Sequence, residues 1–272
     1  MKSHSYTELS TWHDCRQKHY FMYKRNIEAI RRPEALDYGS AIHVGLAEYY
    51  RSNFNLDKTN KAFVSSLVES WNNFMVSLAS QGNEPEDEDN KKHNRMMDNG
   101  LLLLRKYHEF WSTKEWNYKV LDIEVAFKTP LVRIVDMIVE DKYGERWAWE
   151  HKTTSRNEVE NLTMTTLSME PALTTIASLA IGIVYNFLSK DKLSFWREEL
   201  FITPPEKGIA IEWLANTRWE IENSASIIIS RYDRNCAWCP YRPICASVIA
   251  GNTGVDIIDK GYQKRKERKE KD

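Results

Sequence analysis

The sequence lacks an excess of charge of either sign. It has 38 Lys and Arg residues against 39 Asp and Glu residues, so the formal net charge of the 272-residue chain is −1. A chain with this balance has no global attraction to nucleic acid, and any such binding has to come from a local basic surface. Hydrophobic residues make up 42% and charged residues 28% of the chain, which is the composition of an ordinary soluble globular protein.

Cysteine is also scarce, with four residues in the chain. A chain of this length can bury a sizeable core without disulfides. The N-terminal stretch MKSHSYTELSTWHDC has no apolar segment of the kind that a secretory signal requires, so we expect an intracellular protein. In that compartment we expect the cysteines to be metal ligands or free thiols rather than disulfides.

One long uncharged run, PALTTIASLAIGIVYNFLS at residues 171–189, is just long enough to span a bilayer. It opens with a proline and contains five polar side chains, namely Thr174, Thr175, Ser178, Asn186 and Ser189. These features favour a buried helix packed on a sheet, and we expect no membrane span.

The first half of the sequence is predicted to be helical, and the second half combines strands with helices. Apolar spacing and turn signals predict helices at 5–25, 37–51, 57–79, 92–113, 171–189 and 206–231, with a solvated acidic loop at 81–90. Runs rich in Val, Ile and aromatic residues predict three consecutive antiparallel strands, KVLDIEVAFKT, LVRIVDMIVED and RWAWEHKTTS, and a fourth strand at 194–203. No repeat or clear linker divides the chain, so we predict a single α/β domain at 1–262 and a charged tail at 263–272 that we expect to be disordered.

Two acids stand on strands whose other residues are apolar. Glu150 and Lys152 lie on the same face of their strand, and Asp136 interrupts the apolar run RIVDMIV of the preceding strand. Buried charges are usually paired or bound to a metal, and a divalent cation relieves the repulsion between two neighbouring carboxylates. Because Mg²⁺ and Mn²⁺ prefer oxygen ligands, the three residues predict a hydrolytic centre for phosphodiesters. The alternative is that they are charges that face solvent, since E-x-K is a very common tripeptide.

Three of the four cysteines are close together in the sequence. Cys236, Cys239 and Cys245 have the spacing C-x2-C-x5-C in NCAWCPYRPICAS, and the fourth, Cys15, is in the first predicted helix. A tetrahedral zinc site or an iron–sulfur cluster needs four ligands, which these cysteines would supply. The arrangement favours an iron–sulfur cluster, with zinc as the alternative and disulfides as the least expected outcome. Such a site would staple the N-terminal helix to the C-terminal segment.

Taken together, these motifs resemble the PD-(D/E)XK nuclease superfamily. Within it they resemble the RecB/AddB-like exonucleases that carry a 4Fe-4S cluster, a group that includes CRISPR-associated nucleases and phage-encoded relatives. The resemblance rests on five segments in order, STWHDCRQKHYFMY, GSAIHVGLAEYY, RIVDMIV, WEHKTTS and the cysteine triplet. It implies a restriction-endonuclease-like core, in which helices flank a small central mixed sheet.

The resemblance also implies a role for each matched position. His43, Asp136 and Glu150 would bind a Mg²⁺ or Mn²⁺ ion together with the backbone carbonyl of His151, and Lys152 would be the catalytic lysine. Cys15, Cys236, Cys239 and Cys245 would bind the 4Fe-4S cluster, with Zn²⁺ as the alternative.

The function implied is a metal-dependent DNA exonuclease that acts on single strands or free ends. Its setting would be phage DNA processing, recombination and repair, or CRISPR adaptation, with a helicase, recombinase or integrase as partner. Its location would be the cytoplasm of a bacterium or of a phage-infected host cell.

Some positions depart from the pattern of these relatives. Many of them have a Q-x-x-x-Y motif that would fall at Ala172 and Ile176, where both polar groups are missing. This departure keeps a second hypothesis open, a noncatalytic DNA-binding or partner subunit. Arg133 is expected to contact a phosphate or to lie at the surface, and Glu170 to be a further acid of the site or a helix N-terminal charge.

Overall fold

A five-stranded mixed sheet with the strand order β2-β3-β4-β5-β6 forms the centre of the fold, and a separate two-stranded sheet pairs β1 with β7. The computed structural model describes residues 4–31, 33–224 and 234–265. The strands are β1 (Ile27–Ala29), β2 (Tyr118–Phe127), β3 (Arg133–Asp141), β4 (Arg146–Thr154), β5 (Gly182–Ser189), β6 (Phe195–Phe201) and β7 (Tyr262–Lys264).

Helices cover both faces of the large sheet. The helices are α1 (Tyr6–Asp14), α2 (Arg16–His19), α3 (Glu34–Arg51), α4 (Leu56–Ala79), α5 (Asp87–Trp111), α6 (Glu158–Thr166), α7 (Glu170–Ser178), α8 (Pro204–Asn223), α9 (Arg242–Ile249) and α10 (Val255–Gly261), with a π-helical turn at Tyr20–Lys24 and a 3₁₀ helix at Arg234–Trp238. On one face, α3 packs against β2, β3 and β4, and on the other α7 packs against β3, β4 and β5. The middle strands are therefore fixed from both sides.

The three predicted antiparallel strands are confirmed. β2 pairs with β3 and β3 pairs with β4, both antiparallel. Along β4, Trp147 and Trp149 join the apolar cluster of the α3 layer, whereas Ala148 joins a cluster on the other face. Because side chains alternate along a strand, Glu150 and Lys152 lie on the face that carries α7.

The predicted helix at 171–189 is wrong over its second half. α7 ends at Ser178, Leu179 has a positive φ of 56°, and the chain then forms β5. β5 is buried at every position and lies parallel to β4, between β4 and β6. A strand that is buried on both faces has a continuous apolar sequence, and periodicity cannot separate such a run from a buried helix.

The acidic segment that was predicted to be a loop at 81–90 is helical in its last part. α5 begins at Asp87, and Glu86 and Asp89 form a capping box around its first turn. Negative charge stabilises a helix N-terminus, so these acids contribute to helix formation as well as to solvation.

The first predicted helix, 5–25, is interrupted at Cys15. α1 ends at Asp14, and Cys15 has an extended backbone with φ −165° and ψ 110° before α2 begins. The side chain of Cys15 then caps α2, because its Sγ accepts a hydrogen bond from the backbone N–H of Lys18 at 3.4 Å. The break therefore places the thiol at a helix end rather than along a continuous helix.

The small sheet joins the N-terminal part of the described chain to its C-terminal part. β7 pairs antiparallel with β1, and its residues Gln263 and Lys264 extend past the boundary predicted for the tail. Residues 266–272 lie outside the described residues, as do 225–233, into which the helix predicted at 206–231 would continue after α8.

Helices on both faces of a mixed sheet confirm the predicted fold class. Within the described ranges, no helix combines the length and the apolar character that crossing a bilayer would require.

Candidate functional site

Asp136 lies where the paired region of β3 and β4 ends. The paired residues run from Glu140 with Arg146 to Met137 with Trp149. Asp136 immediately precedes Met137 in β3. Its Oδ2 accepts a hydrogen bond of 2.7 Å from the backbone N–H of His151. The carboxylate is thus fixed by the main chain of the strand that carries Glu150 and Lys152.

His43 of α3 contacts the other oxygen of the same carboxylate. Its Nδ1 donates to Oδ1 of Asp136 at 2.9 Å. Burial alone would lower the pKa of His43, but the charge and hydrogen bond of Asp136, together with the charge of Glu150, outweigh burial and raise the pKa. Burial alone would raise the pKa of Asp136, and the charge and hydrogen bond of His43 hold it well below the usual value. Asp136 is therefore an ionised carboxylate whose two oxygens are fixed from two different elements.

Glu150 is the second carboxylate of the site, and it is 5% exposed. Its Oε1 accepts a hydrogen bond of 2.7 Å from Nη2 of Arg133. Burial raises the pKa of Glu150 to about 7; the charge of Arg133 opposes this rise, and the charge of Asp136 adds to it. The repulsion between neighbouring carboxylates that the sequence predicts is therefore present, and Arg133 compensates for part of it.

Glu170, at the start of α7, connects Lys152 with Arg133. Nζ of Lys152 lies 3.2 Å from each oxygen of Glu170, and Nη2 of Arg133 lies 3.1 Å from its Oε1. Burial alone would lower the pKa of Lys152, but the charges of Glu170 and Glu150 outweigh it and raise the pKa, so the side chain is an ammonium. Arg133, Glu150, Lys152 and Glu170 form an ion-pair network in which two cations contact two carboxyl groups.

The side chain of His151 lies on the opposite face of β4 from this ion-pair network. Its Nδ1 accepts a hydrogen bond of 2.8 Å from Nδ2 of Asn186, and its ring stacks on Tyr50 with the centroids 5.6 Å apart. Burial lowers the pKa of His151 to about 3, so the imidazole is neutral. The ring is thus held in the core, where its edge contact with the ring of His43 has a centroid distance of 6.0 Å, and the main chain of His151 binds Asp136.

The donor types at this site fit Mg²⁺ or Mn²⁺, since Asp136 and Glu150 offer carboxylate oxygens and His43 offers an imidazole nitrogen. Their side chains are engaged in pairs, Asp136 with His43 and Glu150 with Arg133. Across the described part of the chain, no three His, Cys, Asp or Glu side chains are arranged so that they could hold a metal ion.

The four cysteines lie in one region of the molecule as free, partly exposed thiols. Burial raises the pKa of Cys245 to about 11, and the charges of Cys239, Cys15 and Cys236 contribute to the rise. All four thiols are therefore close enough to interact electrostatically. They do not form a ligand group for a metal ion in the described structure.

A groove of about 480 Å³ opens beside the ion-pair network. Lys152 and Glu170 lie at one side of it, and Arg156, Thr165 and Ser168 contribute polar side chains to its lining. Met164 is 59% exposed at the same groove. Cationic, hydroxyl and apolar groups thus surround one opening.

Several site residues could not be assigned from the sequence alone. Arg133, for which the sequence allows either a phosphate contact or a surface position, is a buried member of the ion-pair network, with its side chain 9% exposed. Glu170 faces the site, whereas Ala172 and Ile176 pack in the apolar cluster of α1, α7 and α8. The signal that could have identified Glu170 is its place as the one acid at the start of an uncharged run, immediately before Pro171. Asn186 stands out as a polar residue in an apolar run, but no local pattern indicates that its partner is His151.

The fold and these side chains define an α/β protein of the restriction-endonuclease-like class. A family model described as the PD-(D/E)XK nuclease superfamily matches residues 3–246, and the chain belongs to this superfamily. Membership indicates nuclease activity on DNA, and nucleases of this superfamily typically use Mg²⁺ or Mn²⁺.

The chain matches no curated protein. Among solved structures, it is similar to one titled "Crystal structure of SSO0001", with 13% sequence identity and a TM-score of 0.31. That similarity covers 56% of this chain and 73% of the other chain.

Proposed function

We propose that the protein is a metal-dependent deoxyribonuclease that works as an exonuclease on single-stranded DNA or on free DNA ends. The observation that carries the proposal is the convergence of Asp136, Glu150 and Lys152 at the end of the β3–β4 ladder, with His43 bonded to Asp136. The family match over residues 3–246 and the proximity of these side chains support the same assignment.

The residues have distinct roles in this proposal. Asp136, Glu150, His43 and the carbonyl of His151 would hold Mg²⁺ or Mn²⁺, which when bound supplies Lewis-acid stabilisation of the phosphate. Lys152 is an ammonium in this structure, so it donates hydrogen bonds and stabilises negative charge rather than accepting a proton. Its Nζ would stabilise the charge that develops on the phosphate as water attacks the phosphorus and the leaving oxygen departs.

The groove beside Lys152 supports a substrate with an unpaired strand. Its volume of about 480 Å³ suits one or two nucleotides rather than a duplex, and Arg156 lies along it as an exposed cation. Polar groups that track a backbone, combined with an apolar surface for bases, are typical of sites that bind single strands.

The test of catalysis is degradation of end-labelled DNA by purified protein in Mg²⁺ or Mn²⁺, with EDTA as the blank. We expect the wild-type protein to shorten single-stranded DNA from an end. Lys152→Ala should lower the cleavage rate at least about 100-fold, because the substitution removes an electrostatic stabiliser of the transition state. Labels at the 5′ end and the 3′ end, tested separately, give the polarity.

Lys142→Ala is the matched control. Lys142 is an exposed lysine in the turn between β3 and β4, where its Nζ lies over the ring of Tyr143. The Lys142→Ala variant should cleave DNA at the wild-type rate. Equal rates for wild type and Lys152→Ala would show that the activity comes from elsewhere, and the catalytic proposal would then fail.

A noncatalytic DNA-binding subunit is the second candidate, and one observation favours it. Glu150 is paired with Arg133 and Lys152 with Glu170, so both side chains are occupied by partners within the protein. DNA binding by the wild-type protein, with no cleavage in either metal, would support this function over the first.

We also propose that Cys15, Cys236, Cys239 and Cys245 bind a 4Fe-4S cluster, with Zn²⁺ as the alternative. The mutual effect of the four thiols on the pKa of Cys245 supports their proximity. Anaerobically purified protein should contain about four iron atoms per chain and absorb broadly in the visible range, and Cys239→Ser should lose both. About one zinc atom per chain and no visible absorption would favour zinc. Protein that contains neither iron nor zinc would exclude both the cluster and the zinc site.

For the biological setting we propose phage DNA processing, recombination and repair, or CRISPR adaptation in the cytoplasm, with a helicase, recombinase or integrase as partner. The support for this setting is the resemblance of the motifs to proteins of that kind. Stimulation of cleavage by one of these partner classes, measured on double-stranded DNA with a free end, would identify which applies.

A further inference from the structure

Oε1 of Glu170 is a point on which two cations converge. Nη2 of Arg133 lies 3.1 Å from it and Nζ of Lys152 lies 3.2 Å from it. These cations come from different strands, β3 and β4, and the anion comes from α7. Two positive groups that share one oxygen form a site for an anion, and in the free protein a side chain fills it.

Two further buried donors border this point without a partner. Within the described residues, Nε of Arg133 and the hydroxyl of Tyr185 have no hydrogen-bonding partner. Tyr185 is fully buried, and the centroid of its ring lies 5.6 Å from Nζ of Lys152. Burial, together with the charges of Glu170 and Glu150, raises its pKa. Most buried donors in native proteins are satisfied, so an unpaired pair beside a cation site indicates that a polar ligand or water completes it.

The anion site is accessible from the groove. Lys152 and Glu170 both line the groove, and their side chains are 32% and 20% exposed. Arg133 and Glu150 lie deeper, with side chains 9% and 7% exposed. A ligand that enters through the groove therefore meets Glu170 and Lys152 before it reaches Arg133.

We propose that Arg133 and Lys152 form the subsite for a phosphate oxygen of DNA, and that Glu170 occupies this subsite until the substrate displaces it. This inference rests on the proposed function, because it places DNA in the same groove. A phosphodiester carries the same charge as a carboxylate and accepts the same hydrogen bonds. While Glu170 stays in place, its charge repels the incoming phosphate, and its hydrogen bonds occupy the donors that the phosphate needs.

The test replaces Glu170 and measures DNA binding directly. Glu170→Gln keeps the size of the side chain and removes its charge, so we expect a dissociation constant about tenfold lower, because a like charge no longer faces the phosphate. The measurement is fluorescence anisotropy of an end-labelled single-stranded oligonucleotide in EDTA, which prevents cleavage. Across a series of salt concentrations, the slope of log Kd against log salt should steepen by about 0.7, the value for one added phosphate contact.

Glu145→Gln is the matched control for net charge. Glu145 is an exposed residue of the turn between β3 and β4, and its replacement changes the charge of the protein by the same amount. It should leave both the affinity and the salt slope at their wild-type values. An equal gain in the two variants, or no gain in Glu170→Gln, overturns the inference.

A second variant covers the case in which Glu170→Gln does not fold. Glu170→Asp keeps the charge but is one methylene shorter, so its carboxylate cannot maintain contact with both Arg133 and Lys152. We expect it to bind the oligonucleotide more tightly than wild type and less tightly than Glu170→Gln. A dissociation constant equal to or above that of wild type would reject the proposal by itself.

The outcome is separable from that of the proposed function. Tighter binding in Glu170→Gln, together with wild-type protein that never cleaves DNA, supports the phosphate subsite and rejects the nuclease. Cleavage by the wild-type protein with no change in affinity in either Glu170 variant supports the nuclease and rejects the subsite.

Discussion

Asn186 joins the candidate site to the core through one side chain. Its Nδ2 donates to Nδ1 of His151 at 2.8 Å and to the hydroxyl of Tyr107 at 3.0 Å, while its Oδ1 accepts from Nε of Arg197 at 3.4 Å. Asn186, His151 and Tyr107 are all buried, so neither His151 nor Tyr107 can turn to water if the amide is removed. The amide of Asn186 therefore fixes the side chain of His151 in the core, together with the stacking of the ring on Tyr50.

Asn186→Ala is expected to destabilise the protein by about 2–4 kcal/mol, because it leaves Nδ1 of the buried His151 without its partner and removes one hydrogen bond each from Tyr107 and Arg197. Urea unfolding followed by circular dichroism measures the loss. The control is Asn216→Ala, on the exposed surface of α8, which should change the free energy of unfolding by less than about 0.5 kcal/mol. Similar effects of the two substitutions would contradict a structural role for the Asn186 network.

The sequence predicts the acidic pair and the lysine at the residue scale because their pattern is local. Glu150 and Lys152 are two residues apart, and Asp136 stands out in an apolar strand. The roles of Arg133 and Glu170 are set by β3 and α7 meeting at one point, which no local pattern reports. The sequence does not decide the role of Arg133, because its burial in the ion-pair network follows from tertiary packing.

At the scale of helices, Gly100 allows α4 and α5 to pack closely. A Cβ atom at Gly100 would lie 2.0 Å from Cζ of Phe63, whose ring is 0% exposed in the core. α4 and α5 pack together with α3 on the face of the sheet opposite the ion-pair network, and α3 carries His43. The fit at Gly100 thus supports the layer from which His43 reaches Asp136.

We expect Gly100→Ala to lower stability by about 1–3 kcal/mol, since an added methyl group has to displace a ring in a packed core. Gly208→Ala in α8 is the matched control, because a Cβ there meets nothing within 4 Å. It should stabilise the protein by about 0.5–1 kcal/mol through better helix propensity. Melting temperatures of the two variants should move in opposite directions, and a shift of both in the same direction would contradict this account of the helix contact.

The segment 171–189 shows which elements the sequence could predict. β2, β3 and β4 were predicted because turn signals separate them and apolar residues recur along them. β5 was missed because α7 and β5 follow each other in one uncharged run with only Leu179, Ala180 and Ile181 between them. The β-branched and aromatic run IVYNF after Gly182 was the available signal, and parallel pairing with β4 determined the outcome.

At the scale of the whole molecule, the small sheet of β1 and β7 joins the N-terminal part of the chain to the C-terminal part. Tyr262 of β7 is 7% exposed and stacks on Tyr241, whose hydroxyl donates to the carbonyl of Ile27 in β1 at 2.7 Å. Arg265 adds a backbone hydrogen bond to Asn26. This connection joins the regions that carry Cys15 and the cysteine triplet, whether or not a metal is bound.

Removal of residues 262–272 is expected to expose β1. The backbone amides around Ile27–Ala29 lose their partners in β7, so their hydrogen exchange should become faster, while exchange in the buried strand β5 stays slow. Removal of residues 266–272 keeps every contact of β7 described above and is the control. Unchanged exchange in β1 after the longer truncation would show that other contacts hold the N-terminal segment in place.

The most direct measurement of the central claim is the position at which the protein binds the divalent metal that the proposed function requires. A crystal of the wild-type protein soaked in Mn²⁺ should show one anomalous peak bonded to carboxylate oxygens of Asp136 and Glu150, at about 2.1–2.2 Å, and close to His43. The same soak of Asp136→Asn crystals should lose that peak. An anomalous peak bound to other carboxylates, with no density between Asp136 and Glu150 in the wild-type crystal, would contradict the assignment of this site as the nuclease centre.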